Sequence, residues 1–331
     1  MKQTDWLHAN AENQTSSRGK KWEQRWRAEG WRALPGWGLE WVYWNAQLNR
    51  FPTFEQLFDR YLLSKRQHKY GITSPIVIYQ MGKVGSTALQ HSLTSLGLDV
   101  PIYQMHALNR LEEAEAWART VPDPAADLAL IRRARYVRRA IDSKRWKQVR
   151  MITLVRAPGP QLLSAFFQRI TWQLPKMREY YQHDELTPQE VADYFARYFH
   201  PPFPGEWFDV QLREPFGIDV YASEFPKAQG YQYYERDTIQ LVVLRLEDLS
   251  RCGATVMREF LGIPDFRMSS ANVGVEKQYG ELYREVQKVL RLSPERANEL
   301  NSLKYAQHFY TPQELEASVA RWTIQESRET V

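Results

Sequence analysis

Short apolar runs, each followed by a longer stretch with helical spacing, set the rhythm of this chain. Ile76-Val-Ile-Tyr79 is the first clear run. Four consecutive apolar or aromatic residues ahead of a glycine turn predict a short buried strand. Gly82 and Gly85 then bracket a turn, and Ser86 and Thr87 open a helix with Leu89, Leu93 and Leu96 on its apolar face. Gly97 fits as its stop. Val100-Pro-Ile-Tyr-Gln-Met-His106 predicts a second strand ending on a histidine, and residues 107–150 have a helical composition. Met151-Ile-Thr-Leu-Val155 predicts a third strand, with Arg156 at its carboxyl end. Pro158-Gly-Pro160 turns into a helix whose apolar face is Leu162, Leu163, Phe166, Phe167 and Ile170, Pro160 suiting the first helical position. Gln240-Leu-Val-Val-Leu-Arg245 predicts a fourth strand, and the helix after it ends at Phe260-Leu-Gly-Ile263. Strands alternating with helices imply an α/β fold of three layers, a central parallel sheet flanked by helices. Ligands then bind outside the carboxyl ends of the strands.

Composition narrows the class. Hydrophobic residues make up 43% and charged residues 25% of the 331, which excludes a disordered or membranous chain. No apolar run approaches the ~20 residues that span a bilayer. The first residues carry no apolar signal core, so a cytoplasmic address is expected. The single cysteine, Cys252, excludes an intramolecular disulfide and a thiol-rich metal site. A net charge of +5 favours anionic ligands without marking a nucleic-acid binder.

Three stretches stand outside the alternation. Residues 1–70 hold seven of the twelve tryptophans, Trp22, Trp26 and Trp41, Trp44 being at helical spacing. They read as an arm that wraps the main domain or the second subunit of a homo-oligomer; a sugar-stacking platform is the alternative. Residues 131–150 carry nine basic residues and one acid. They read as the solvated face of a helix pinned by Ile131, Val137 and Ile141, against a docking strip for an acidic polymer. Residues 171–237 are rich in Tyr, Phe, Trp and Pro without a period. They suit a substrate-covering insertion, the alternative being a satellite core. His183, Asp184 and Glu185 within it are too close together for an opposed acid–base pair.

The candidate chemistry lies on two turns. Strand, glycine turn and helix start form an anion site, because backbone N–H groups and the helix N-terminus face the ligand and Lys83 adds a full charge. The order Gly82-Lys83-Val84-Gly85-Ser86-Thr87 is not that of a Walker A loop, in which lysine follows the second glycine. It resembles the phosphosulfate loop of the sulfotransferases that use 3′-phosphoadenosine 5′-phosphosulfate (PAPS). The stretch Leu154-Val-Arg156-Ala-Pro with Ser164 eight residues after the arginine is similar to the segment with which that family holds the 3′-phosphate. The run Leu246-Glu247-Asp248-Leu249 to Phe260-Leu-Gly262 also resembles the family, with Glu247 and Asp248 read as a helix cap or partners of a core arginine. Asn272-Val-Gly-Val-Glu-Lys277 looks like its late segment over the 3′-phosphate, without the usual opening. The first loop, Gln80-Met-Gly-Lys-Val-Gly-Ser-Thr87, and His308-Phe-Tyr-Thr-Pro look closest to the bacterial capsular polysaccharide synthesis proteins.

The resemblance covers about residues 72–322. It implies a P-loop-like domain over 71–331 and transfer of a sulfuryl group from PAPS to a hydroxyl of a carbohydrate or polysaccharide precursor. Gly82, Lys83, Val84, Gly85, Ser86 and Thr87 would hold the 5′ side, and Arg156, Ser164 and Lys277 the 3′-phosphate. Lys83 would stabilise charge on the leaving oxygen, His106 would take the acceptor proton, and no metal is needed. A nucleotide-dependent kinase on the same architecture and a non-catalytic carbohydrate-binding scaffold are the alternatives.

Overall fold

A computed structural model describes residues 74–120, 125–170, 187–199, 205–264, 266–268, 280–320 and 322–323. The tryptophan-rich opening, His183, Asp184, Glu185 and Lys277 lie outside the described residues.

Five strands form one sheet: β1 (Ile76–Tyr79), β2 (Ile102–Met105), β3 (Val149–Val155), β4 (Tyr231–Arg236) and β5 (Ile239–Arg245). Their order is β2-β1-β3-β5-β4, parallel throughout except that β4 pairs antiparallel with β5. Sequence explains the order. β1, β3 and β5 are nearly all apolar and buried, as strands flanked on both sides must be. β2 alternates half-buried and buried residues, and β4 is largely exposed, as befits the two edges.

Eleven helices are described: α1 (Ser86–Ser95), α2 (Leu111–Ala118), α3 (Ala125–Asp142), α4 (Pro158–Ile170), α5 (Pro188–Tyr198), α6 (Glu214–Phe216), α7 (Leu249–Leu261), α8 (Gly280–Val289), α9 (Pro294–Asn301), α10 (Lys304–Phe309) and α11 (Pro312–Ala320). None is long and apolar enough to cross a membrane among the described residues. A mixed α/β fold with a mostly parallel sheet is thus established, with one antiparallel edge strand more than the sequence pattern predicts.

Several local expectations need correcting. Leu96 does not join the buried face of α1 with Leu89 and Leu93 but is 42% exposed, because the helix ends one residue earlier and Gly97 turns the chain at φ +65. The helix after Arg156 begins at Pro158 rather than Pro160. The basic stretch forms a solvated helix face only as far as Asp142, where α3 ends, with Ile131, Val137 and Ile141 buried; Arg150 lies in β3. Arg135 pairs with Glu115 and Arg138 with Asp142 on the outside.

The described part of 171–237 builds core. Trp207, Phe208, Leu212, Val220 and Phe225 join the main cluster around the sheet. Val191, Ala192 and Phe195 of α5 pack with Leu162 and Phe166 of α4 and Val286 of α8 in a second cluster. Near the start of α4, a side chain in place of Gly159 would meet Val319 and Trp322 at 2.8 and 3.2 Å, so α4 is seated hard against the end of α11.

Candidate functional site

Chain direction places the site. From β1 the chain passes through α1 to β2 on one side, then returns past β1 to β3 on the other. The reversal falls between β1 and β3, and the crevice beyond their carboxyl ends is where open α/β sheets bind ligands. The Gly82–Thr87 loop leaves β1 at this point and Arg156 leaves β3. One Nη of Arg156 donates to the Lys83 carbonyl at 3.3 Å, so the two turns are in contact.

The first turn is bent by left-handed backbone at Lys83 (φ +67) and Gly85 (φ +92), not at Gly82. A positive φ at lysine costs about 1–2 kcal/mol and is held only by its surroundings. Val84 is fully buried and pins the loop, Ser86 is buried, and Thr87 is exposed. Gly85 is the N-cap of α1, so no side chain caps the helix there, and its first turn has no acidic residue. The N–H groups of that turn have no helix carbonyl to bond, which leaves an anion-binding end.

The second turn is arranged differently. Arg156 is half-buried, and the Ala157 N–H donates to Oε1 of Glu247 at 3.0 Å. Glu247 also accepts the Tyr310 hydroxyl at 2.9 Å, while Asp248 pairs with the buried Arg245 and with Arg251. The expectation of a core-arginine partner therefore holds for Asp248, but its side chain makes no capping hydrogen bond to α7. Ser164 is half-buried two turns along α4, roughly 9 Å from its start at 1.5 Å per residue.

His106 follows β2, the other neighbour of β1. Gln80 N–H donates to Met105 O, which carries the pairing to the strand ends. His106 Nδ1 is 2.8 Å from the Gln80 carbonyl. A carbonyl only accepts, so Nδ1 carries the hydrogen and Nε2 presents a lone pair. Trp207 Nε1 donates to the His106 carbonyl at 2.9 Å. His106 is exposed by its surface area, yet the crowding close around its ring lowers its pKa by desolvation. The Gln80 carbonyl and Asp127 oppose that shift, and Lys83 adds to it. Lys83, His106 and Arg156 thus leave three adjacent parallel strands at the same end of the sheet.

Sequence reading missed the residues that support these three. Gln80 is fully buried; its Oε1 accepts the Leu154 N–H, and its Nε2 has no partner among the described residues. Gln211, in a π-helical turn, accepts through Oε1 from Tyr79 O–H and from the N–H groups of Leu108 and Asn109, tying down the segment after His106. Gln161 donates to the Gly82 carbonyl at 2.9 Å and accepts from Tyr305 at 2.9 Å. The one usable signal was polar identity at buried positions of apolar elements, as with Gln80 at the end of β1. The described residues hold no cluster of three metal-ligating side chains. A cleft of about 670 Å³ lined by Lys227, Asn298, Asn301, Gln307 and Glu316 among others includes none of the turn residues. The site therefore rests on its chemistry, not on concavity.

A family model described as "Putative capsular polysaccharide synthesis protein" matches residues 203–311. That segment contains Gln211, Glu247, Tyr305 and Tyr310 but neither of the two turns, so the match meets the candidate site through its supports. No curated protein and no solved structure matches the chain. A glycan-related role is compatible with the match.

Proposed function

We propose that the protein is a PAPS-dependent sulfotransferase acting on a hydroxyl of a carbohydrate or polysaccharide precursor. The observation that carries the reading is the contact between the Lys83 loop and the Arg156 turn at the switch between β1 and β3. Two kinds of anion-binding group side by side suit a nucleotide that carries two phosphate groups: an uncapped helix end with a lysine on one turn, a guanidinium on the other. PAPS supplies the activated sulfuryl group when bound.

The chain's own residues do the rest. Backbone N–H groups from Val84 to Thr87 take the 5′ oxygens, and the Lys83 ammonium meets negative charge developing on the leaving oxygen. Arg156 grips the 3′-phosphate in a bidentate manner that lysine cannot match, with Ser164 and Lys277 as further donors. His106 takes the acceptor proton at Nε2, the nitrogen that the Gln80 carbonyl leaves unprotonated. The glycan acceptor draws support from the family match.

Calorimetry tests the donor. Adenosine 3′,5′-bisphosphate should bind far more tightly than 5′-AMP, and Arg156→Ala should erase that preference at a loss of about 2–4 kcal/mol. Equal affinities for the two in the wild-type protein would sink the assignment. Tight binding of ATP with Mg²⁺ would replace it with a kinase.

A further inference from the structure

Both turns are supported from one place. α10 and the residue that ends it carry two tyrosines, Tyr305 and Tyr310, 0% and 3% exposed. Tyr305 donates to Gln161 Oε1, which fixes the orientation of that amide and aims its Nε2 at the Gly82 carbonyl. Tyr310 donates to Glu247 Oε2, whose other oxygen takes the Ala157 N–H. Burial pushes both phenols well above their ordinary pKa and the Glu247 charge adds to this for each, so both remain hydrogen donors throughout the neutral range.

Each chain of bonds ends on a different peptide plane. The Gly82 carbonyl belongs to the peptide that leads into Lys83, where the backbone is left-handed. Holding that carbonyl holds the plane from which the Lys83 strain is set. The Ala157 N–H belongs to the peptide directly after Arg156, so holding it fixes where the guanidinium starts. We propose that Tyr305–Gln161 and Tyr310–Glu247 are two separate positioning relays, the first for the 5′ side of the donor site and the second for its 3′-phosphate side. This rests on the functional reading above and adds to it the residues that set nucleotide specificity.

The relays make unlike predictions for two probes, adenosine 3′,5′-bisphosphate and 5′-AMP, titrated into the full chain. Tyr310→Phe should weaken the bisphosphate about three- to tenfold and leave 5′-AMP within twofold, the size expected for losing one buried hydrogen bond. Glu247→Leu should copy it. Glu247→Gln should restore the preference, because an amide still accepts from Ala157 and still pairs with the tyrosine. Tyr305→Phe should weaken both nucleotides by the same factor. Folded variants in which Tyr305→Phe and Tyr310→Phe act alike on both nucleotides would overturn the proposal. If Tyr310→Phe does not fold, Glu247→Leu, at an exposed position, decides the 3′ side.

Hydrogen exchange separates this idea from the donor assignment. Should the wild-type protein bind neither nucleotide, the sulfotransferase reading falls and the relays are judged without ligand. Tyr310→Phe should then speed exchange in a peptide over 154–162 and spare 80–88, and Tyr305→Phe should speed exchange over 80–88. Uniform acceleration, or none, would remove the relays as well.

Discussion

The turn after β1 and the turn after β3 stand side by side and are built on opposite plans. The first offers backbone: two left-handed residues, a helix end without a side-chain cap, and no carboxylate in the first helical turn. The second offers a side chain. Its leading N–H is already occupied by Glu247, and what it presents is the Arg156 guanidinium. A backbone cradle suits an oxygen cluster whose charge changes during reaction, since its donors cost no reorganisation. A guanidinium suits a phosphate that is only recognised. Under the proposed function, this contrast puts chemistry on the first turn and selectivity on the second.

Exchanging one charged residue in each turn gives the largest effect. Lys83→Met should lower turnover by ~10²–10³-fold, as removing a single transition-state donor does. Binding of the desulfated nucleotide should suffer much less, because that product lacks the developing charge. Arg156→Ala should do the reverse, losing affinity for the bisphosphate more than turnover at saturation. Single-turnover rates with a radiolabelled donor and a panel of sugars and lipid-linked sugars measure both. Parallel losses of binding and turnover in the two variants would erase the division of labour.

The two glycines of the first turn come next. Gly85 has φ +92, and a Cβ there would lie 2.8 Å from Leu246 Cδ1. Leu246 can give a little, but the backbone cannot, so Gly85→Ala should cost about 1–3 kcal/mol in urea unfolding. Gly82 has no positive φ and nothing within 4 Å of an added Cβ. Gly82→Ala should stay within about 0.5 kcal/mol. Lys83→Gly should keep or slightly raise stability while turnover is lost, since glycine relieves the left-handed strain at φ +67. Equal costs at Gly82 and Gly85 would mean that the bend is not where the backbone angles put it.

Much of this was legible locally. β1, β3 and β5 announced themselves because strands flanked on both sides read as unbroken apolar runs. Edge strand β4 did not: Tyr231, Tyr233 and Tyr234 merged into an aromatic stretch, and its turn at Asp237 (φ +51) carries no glycine. The placement of Lys83, Arg156 and His106 after neighbouring strands was readable from the apolar runs that precede them. Their supports were not, because Tyr305 meets Gln161 across 144 positions and Gln211 meets Tyr79 across 132. No local period encodes such a pairing. Glu247, expected as a helix cap or the partner of a core arginine, instead takes the Ala157 N–H of the Arg156 turn and the Tyr310 hydroxyl.

The smallest effect tests which turn His106 belongs to. Desolvation is the main cause that lowers its pKa from the ordinary imidazole value, and Lys83 pushes it further down by repelling the imidazolium. Asp127 on α3 and the Gln80 carbonyl pull the other way. A lowered pKa leaves the ring neutral and able to accept a proton at neutral pH, and turnover should fall on the acid side, a limb that His106→Ala abolishes. Lys83→Met removes a positive neighbour, so the His106 pKa should rise and the titration should move towards neutral pH. Arg156→Ala should move it less, because that guanidinium follows β3, on the far side of β1 from His106, and reaches the Lys83 carbonyl. Ring ¹³C shifts followed across pH, with the signal assigned through His106→Gln, report this without any acceptor. An equal rise in both variants would place His106 between the turns instead of beside the first.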